Sequence, residues 1–186
     1  LVALQPISHR IHFIKEAAVQ RRAGKWKEAT GWASLEGHWL RRKHFTPEVL
    51  VQIAERIRKS ELDHTGELMV AIEAVSPAHE PDSRQRALEV FGRLRVWDTP
   101  LNTGVLLYLA LDRHRIHIIA DRGIAAPNDL WEQVCLRLQE SLQQKRYAPG
   151  LLAAIDDIES ILRTRSAVLP DGVLHANDLP DRPVLL

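Results

Sequence analysis

The sequence predicts an α/β fold, a three-layer α/β/α sandwich built on a small mixed β-sheet. Three observations predict it. Apolar runs of strand length stand at 67–75 and 104–111. Stretches around them carry apolar residues at helical spacing. The resulting order, α-β-α-β-β-α-α, sets a helix between two strands and a tight turn after the second. That order calls for one parallel and one antiparallel pairing.

Each element has a local reason. Thr46-Pro47-Glu48 is a helix start: Thr caps, Pro suits the first helical position and Glu complements the dipole. Val49, Leu50, Ile53, Ala54 and Ile57 then fall on one face, which predicts a helix over 47–60. His64-Thr65-Gly66 reads as a turn, and 67–75 as a strand. Asp82 or Ser83 caps a helix over 83–95 with Ala87, Val90, Phe91 and Leu94 inward. Residues 97–103 read as a loop. The strand at 104–111 meets Asp112-Arg113-His114 and returns as a strand over 115–120, an antiparallel hairpin. Pro127 and Asn128 open a helix of 127–145, and Tyr147-Ala-Pro-Gly150 breaks it. A last helix over 150–164 carries Leu151, Leu152, Ile155, Ile158, Ile161 and Leu162 as its stripe. A short edge strand is allowed around 40–45. Beyond Ser166 no period is visible, and a flexible tail over 166–186 is expected.

The 186 residues are 45% hydrophobic and 26% charged, which excludes wholesale disorder and a multispan membrane protein. The net charge of +1 hides an asymmetry. Residues 1–43 hold nine Lys/Arg against three acids, a local charge of +6, which leaves −5 for residues 44–186. The same segment holds Trp26, Trp32 and Trp39. Basic residues interleaved with Trp suit an anionic membrane surface or nucleic-acid phosphates, and a protein partner is also open. The only methionine is Met69, so Leu1 is not an encoded initiator. Residues 1–37 therefore carry no weight in the fold expectation, which treats 1–43 as a basic, Trp-containing segment outside the domain. One cysteine, Cys135, excludes an internal disulfide and a Cys-rich zinc site. No apolar run reaches the roughly 18 residues of a bilayer span. A cytoplasmic protein is expected.

The motifs Gly66-Glu67-Leu68, Ala87-Leu-Glu-Val-Phe91, Trp97-Asp98-Thr99, Asn102-Thr-Gly-Val-Leu-Leu-Tyr108, Asp112-Arg113, Asp121-Arg-Gly-Ile124 and Trp131 stand in one order along the chain. In that combination, over 44–165, the chain resembles a TPM domain, most closely a short soluble bacterial branch. The resemblance implies an α/β sandwich, divalent-metal binding in some members, often Ca²⁺, and a phosphatase label. Where other branches carry an acidic residue shortly after the glycine, this chain has Ala125-Ala126-Pro127.

The hairpin places the polar residues independently. A turn centred on Arg113 sets Val105 opposite Asp121 and Leu109 opposite His117. With the 67–75 and 104–111 strands parallel, Glu67, Asp98, Thr99, Asn102, Asp121 and Asp129 are expected along one rim of the sheet. Carboxylate, amide and hydroxyl oxygens are the ligand set of Ca²⁺ or Mg²⁺. The competing reading makes them caps and turn residues. The sequence thus points to a divalent-cation-binding or assembly module. The alternative is a metal-dependent phosphatase-like hydrolase, although no phosphatase signature is present: Cys135 sits in a helix, and Ser141 rather than Arg follows six residues later. His117 reads as a sheet-face histidine, Trp131 as core and Cys135 as an inert buried thiol.

Overall fold

The central strands are apolar on both faces because helices cover both faces, so they read as continuous apolar runs rather than alternations. The computed structural model describes residues 15–20, 32–61, 64–166 and 179–186. Its elements are β1 (Lys15–Gln20), α1 (Trp32–His44), α2 (Pro47–Ser60), β2 (Glu67–Glu73), α3 (Ser83–Arg93), β3 (Gly104–Ala110), β4 (Arg115–Ala120), α4 (Asn128–Gln143), α5 (Tyr147–Arg165) and β5 (Val184–Leu185). The sheet order is β1-β4-β3-β2-β5. β2 runs parallel to β3 and β5, while β4 runs antiparallel to β3 and β1. The fold is an α/β sandwich with a mixed sheet.

Alternation along the strands divides the core in two. Leu68, Val70, Ile72, Val105, Leu107, Leu109, Ile116 and Ile118 pack with Leu50, Ile53 and Ile57 of α2 and with the stripes of α4 and α5. Met69, Ala71, Leu106, Tyr108, Ala110 and Ile119 pack on Ala87, Val90 and Phe91 of α3. Trp131 and Cys135 are buried in the larger core. Burial pushes the Cys135 thiol up to about 12, so it is inert.

Several expectations are corrected. The hairpin register is one residue off: Leu109 faces Ile116, and His117 faces Tyr108. Leu111 to His114 form the turn, with His114 in the left-handed region at φ 51°, so its centre lies between Asp112 and Arg113. Such a slip moves a side chain to the other sheet face, and it sets His117 on the α3 side. Residues 40–45 are no edge strand: α1 runs to His44, and the Phe45 N–H closes on the Arg41 carbonyl. Residues 147–150 do not break the helices. Lys145, at φ 62°, makes the break, and Pro149 sits in the first turn of α5, where a missing N–H costs nothing.

Parts of both flanking segments belong to the fold. Lys15–Gln20 pairs with all of β4. The tail expected to be flexible returns to the sheet: Ala71 and Ile72 pair with Val184 and Leu185, and the Leu186 N–H donates to the Ile72 carbonyl at 3.0 Å. The physical reason is the edge of β2, whose outward N–H and C=O groups need a partner. Residues 1–14, 21–31 and 167–178, Trp26 among them, lie outside the described residues.

Candidate functional site

The expected rim exists as backbone but not as a cage. Glu67, Gly104 and the end of β4 lie side by side across three strands. Asn102 takes a left-handed φ of 54° just before β3. Its carbonyl accepts the Gly123 N–H at 2.8 Å, and a Cβ at Gly123 would come within 2.1 Å of the Leu101 carbonyl oxygen. The two loops therefore meet backbone to backbone, which only glycine permits at 123. Arg122 then ties the pair together. Its N–H donates to Asp121 Oδ1 at 2.7 Å, and its guanidinium donates to Asn102 Oδ1 at 3.0 Å. The other candidates have separate roles. Glu67 is buried and accepts the Leu179 N–H at 2.6 Å. Thr99 accepts the Thr103 N–H at 2.8 Å, a turn role. Asp98 is exposed and pairs with Arg95 at 3.5 Å, and Asp129 is exposed in the first turn of α4. Among the described residues no three of His, Cys, Asp and Glu gather as a metal-holding group. The Arg122 guanidinium holds the Asn102 amide oxygen that a Ca²⁺ or Mg²⁺ ion would use.

A second set of polar groups was not legible in advance. On the α3 face, the Glu73 carboxylate accepts from Arg86 Nε at 3.1 Å and from its terminal nitrogen at 2.5 Å, and it also accepts from the Tyr108 hydroxyl. Arg86 pairs in addition with Glu89 at 2.9 Å. His117 Nε2 lies 2.9 Å from Ser83 Oγ at the start of α3. His117 Nδ1 is buried without a hydrogen-bond partner, and burial first, then Arg115, holds the imidazole down to about 4. A serine beside a histidine suggests nucleophilic chemistry, but this histidine has no acid on its far nitrogen and both residues are buried. The pair is a structural latch between α3 and β4. The available signal was a charge on each buried stripe: Glu73 closing an apolar strand, and Arg86 between Ser83 and Ala87 on the inward face of α3.

The third feature is the outward face of α1. This helix docks by its small side, Ala33, Gly37 and Leu40. The large apolar residues consequently face solvent: Trp32 is 68% exposed, Leu35 68% and Trp39 53%. Spacings of three and four place them on one face, with Arg42 and Lys43 alongside. Lys43 Nζ sits 4.4 Å from the Trp39 ring centroid, a cation–π contact. Leu35, His38, Trp39, Arg42 and Lys43 line a shallow groove there. An ordinary surface helix shows the reverse polarity.

Residues 41–161 match the TPM domain family. The chain belongs to the TPM domain family. It is also similar to the NMR structure of the BA42 protein from the psychrophilic bacterium Bizionia argentinensis. The identity is 27% and the TM-score 0.67, over 77% of this chain and 97% of that one. No curated protein matches it. The Asn102–Asp121 rim and the Glu73–Arg86–Tyr108 cluster lie inside the TPM match, whereas Trp32, Leu35 and Trp39 precede it. No helix among the described residues is long and apolar enough to cross a membrane.

Proposed function

We propose that this TPM domain is a binding module that docks on an acidic surface through the outward face of α1. One observation carries the reading: two tryptophans and a leucine stand exposed on one face of a helix whose last turn is Arg41-Arg42-Lys43-His44. Exposed apolar groups rimmed by charge mark interaction sites. Residues 44–186 carry −5, so the positive charge an anionic partner would meet lies in the preceding residues, of which Arg41, Arg42 and Lys43 stand on α1. The test is a titration of the full chain with soluble polyanions and anionic vesicles against neutral counterparts. Binding to at least one anionic probe, lost in Arg42→Glu with Lys43→Glu, supports the reading. No binding, or binding indifferent to the charge reversal, removes it.

A second reading, a Ca²⁺ or Mg²⁺ ion at the rim, is favoured by one observation. Asn102 and Asp121 both give oxygens to Arg122, so an ion that displaced the guanidinium would meet the Asn102 amide oxygen beside a buried carboxylate. Titration of Arg122→Ala with each ion tests it.

A further inference from the structure

We infer that the acidic surface is an anionic phospholipid bilayer, on which α1 lies flat with Trp32, Leu35 and Trp39 at the headgroup level. The inference rests on the reading of α1 as the docking face and adds the identity of what it docks on.

The helix is held in one rotational setting. A Cβ on Gly37 would come within 1.9 Å of the Ala74 carbonyl oxygen and 3.2 Å of Asp112 Cβ, so the backbone of α1 rests directly on the segment after β2. Leu40 is buried in the larger core. With that side fixed, Leu35, Trp39 and Arg42 point outward together, with Trp32 and Lys43 beside them, an arc of roughly 100° at 3.6 residues per turn. The arc carries no acid; the helix's only acid, Glu36, lies 3.7 Å from His114.

The chemistry of the arc separates the candidate surfaces. Tryptophan concentrates where water meets acyl chain, because its ring is apolar and its N–H polar. Lys43 and Arg42 have stems that lie along apolar surface while their heads reach phosphate. A helix with Trp and Leu on one face and flanking cations is the interfacial pattern, and cations add attraction to anionic lipid. A nucleic-acid duplex would use the cations and leave Leu35 and Trp32 without contacts, since its outer surface is phosphate and sugar. The net −5 of residues 44–186 disfavours their own contact with an anionic bilayer.

The experiment is cosedimentation of the full chain with phosphatidylcholine vesicles, with and without phosphatidylglycerol, at low and high salt. Binding is expected only with phosphatidylglycerol and weaker at high salt. Arg42→Gln with Lys43→Gln is expected to bind about 25-fold less tightly, from roughly fivefold per cation. Leu35→Ser with Trp39→Ser is expected to lose at least tenfold. Arg137→Gln, an exposed cation on α4 paired with Asp157, is expected to bind as wild type. Thermal unfolding by circular dichroism checks that each variant is folded. Equal binding to neutral vesicles, or α1 variants that bind as wild type, overturns the inference. Binding of polyglutamate or duplex DNA through Arg42 and Lys43 without vesicle binding also overturns it, while leaving the docking face of α1 standing. Binding to no anionic probe removes both.

Discussion

Gly37 lies against the carbonyl of Ala74, and this contact decides what α1 shows to solvent. A Cβ there would meet the Ala74 oxygen at 1.9 Å. The small stripe Ala33–Gly37 faces the domain, so Trp32, Leu35 and Trp39 face away.

Gly37→Ala is therefore expected to destabilise the chain even though alanine favours helix by about 1 kcal/mol. The clash forces the helix off the sheet, an overpacking cost of about 1–3 kcal/mol. Urea unfolding should show a lowered midpoint. A raised midpoint would mean that α1 is not seated on Ala74.

Arg86→Ala leaves the Glu73 carboxylate buried with the Tyr108 hydroxyl alone from this set. Removing one partner of a buried pair costs about 3–5 kcal/mol. The double variant Glu73→Leu with Arg86→Met removes both charges and is expected to lose less than Arg86→Ala. Chemical denaturation of the two side by side checks the order.

Two buried groups give opposite pH slopes. His117 is held down to about 4 from 6.5. Between those values the unfolded chain takes a proton that the native imidazole refuses, so stability falls as pH falls, by up to about 1.4 kcal/mol per unit. Glu61 is pushed up to about 9 from 4.5, by burial first, with Glu159, Asp181 and Glu67 adding to it. The native state then keeps a proton that the unfolded chain releases, so stability falls as pH rises from 4.5 to 9. Above pH 6.5 only the Glu61 slope remains of the two. Glu61→Gln retains an acceptor for the Leu68 N–H and is expected to flatten the decline between pH 6.5 and 9. Unfolding midpoints measured across that range decide it.

Arg122→Ala removes the cation from Asn102 Oδ1. Added Ca²⁺ is expected to raise the melting temperature of this variant more than that of the wild type, since a ligand for the native state stabilises it by mass action. Equal responses would show that Arg122 does not guard the rim.

The fold was largely readable because its helices and central strands are marked locally. Thr46-Pro47 and Asp82 cap where expected, and the Val105–Leu109 run can only be a buried strand. What escaped depended on partners distant in sequence. β5 is two residues long and exists because β2 needs an edge partner 113 residues earlier, as Ala71 pairs with Val184. The hairpin slip turned on one left-handed residue, His114, and it moved His117 beside Tyr108. The parallel pairing that sets Glu67 beside Gly104 was readable, but charge patterning did not foresee Arg122 folding back over Asn102. α1 was missed because its buried stripe is small, Ala33 and Gly37, and its large residues face outward, the reverse of the pattern that marks a helix.

The most direct measurement follows the indole N–H signals of the five tryptophans by NMR as an anionic probe is added. Single Trp→Phe variants assign the signals. Those of Trp32 and Trp39 are predicted to shift or broaden, while buried Trp131 and the loop residue Trp97 hold their positions. Signals that all stay fixed, or a response centred on Trp97, would contradict docking through α1.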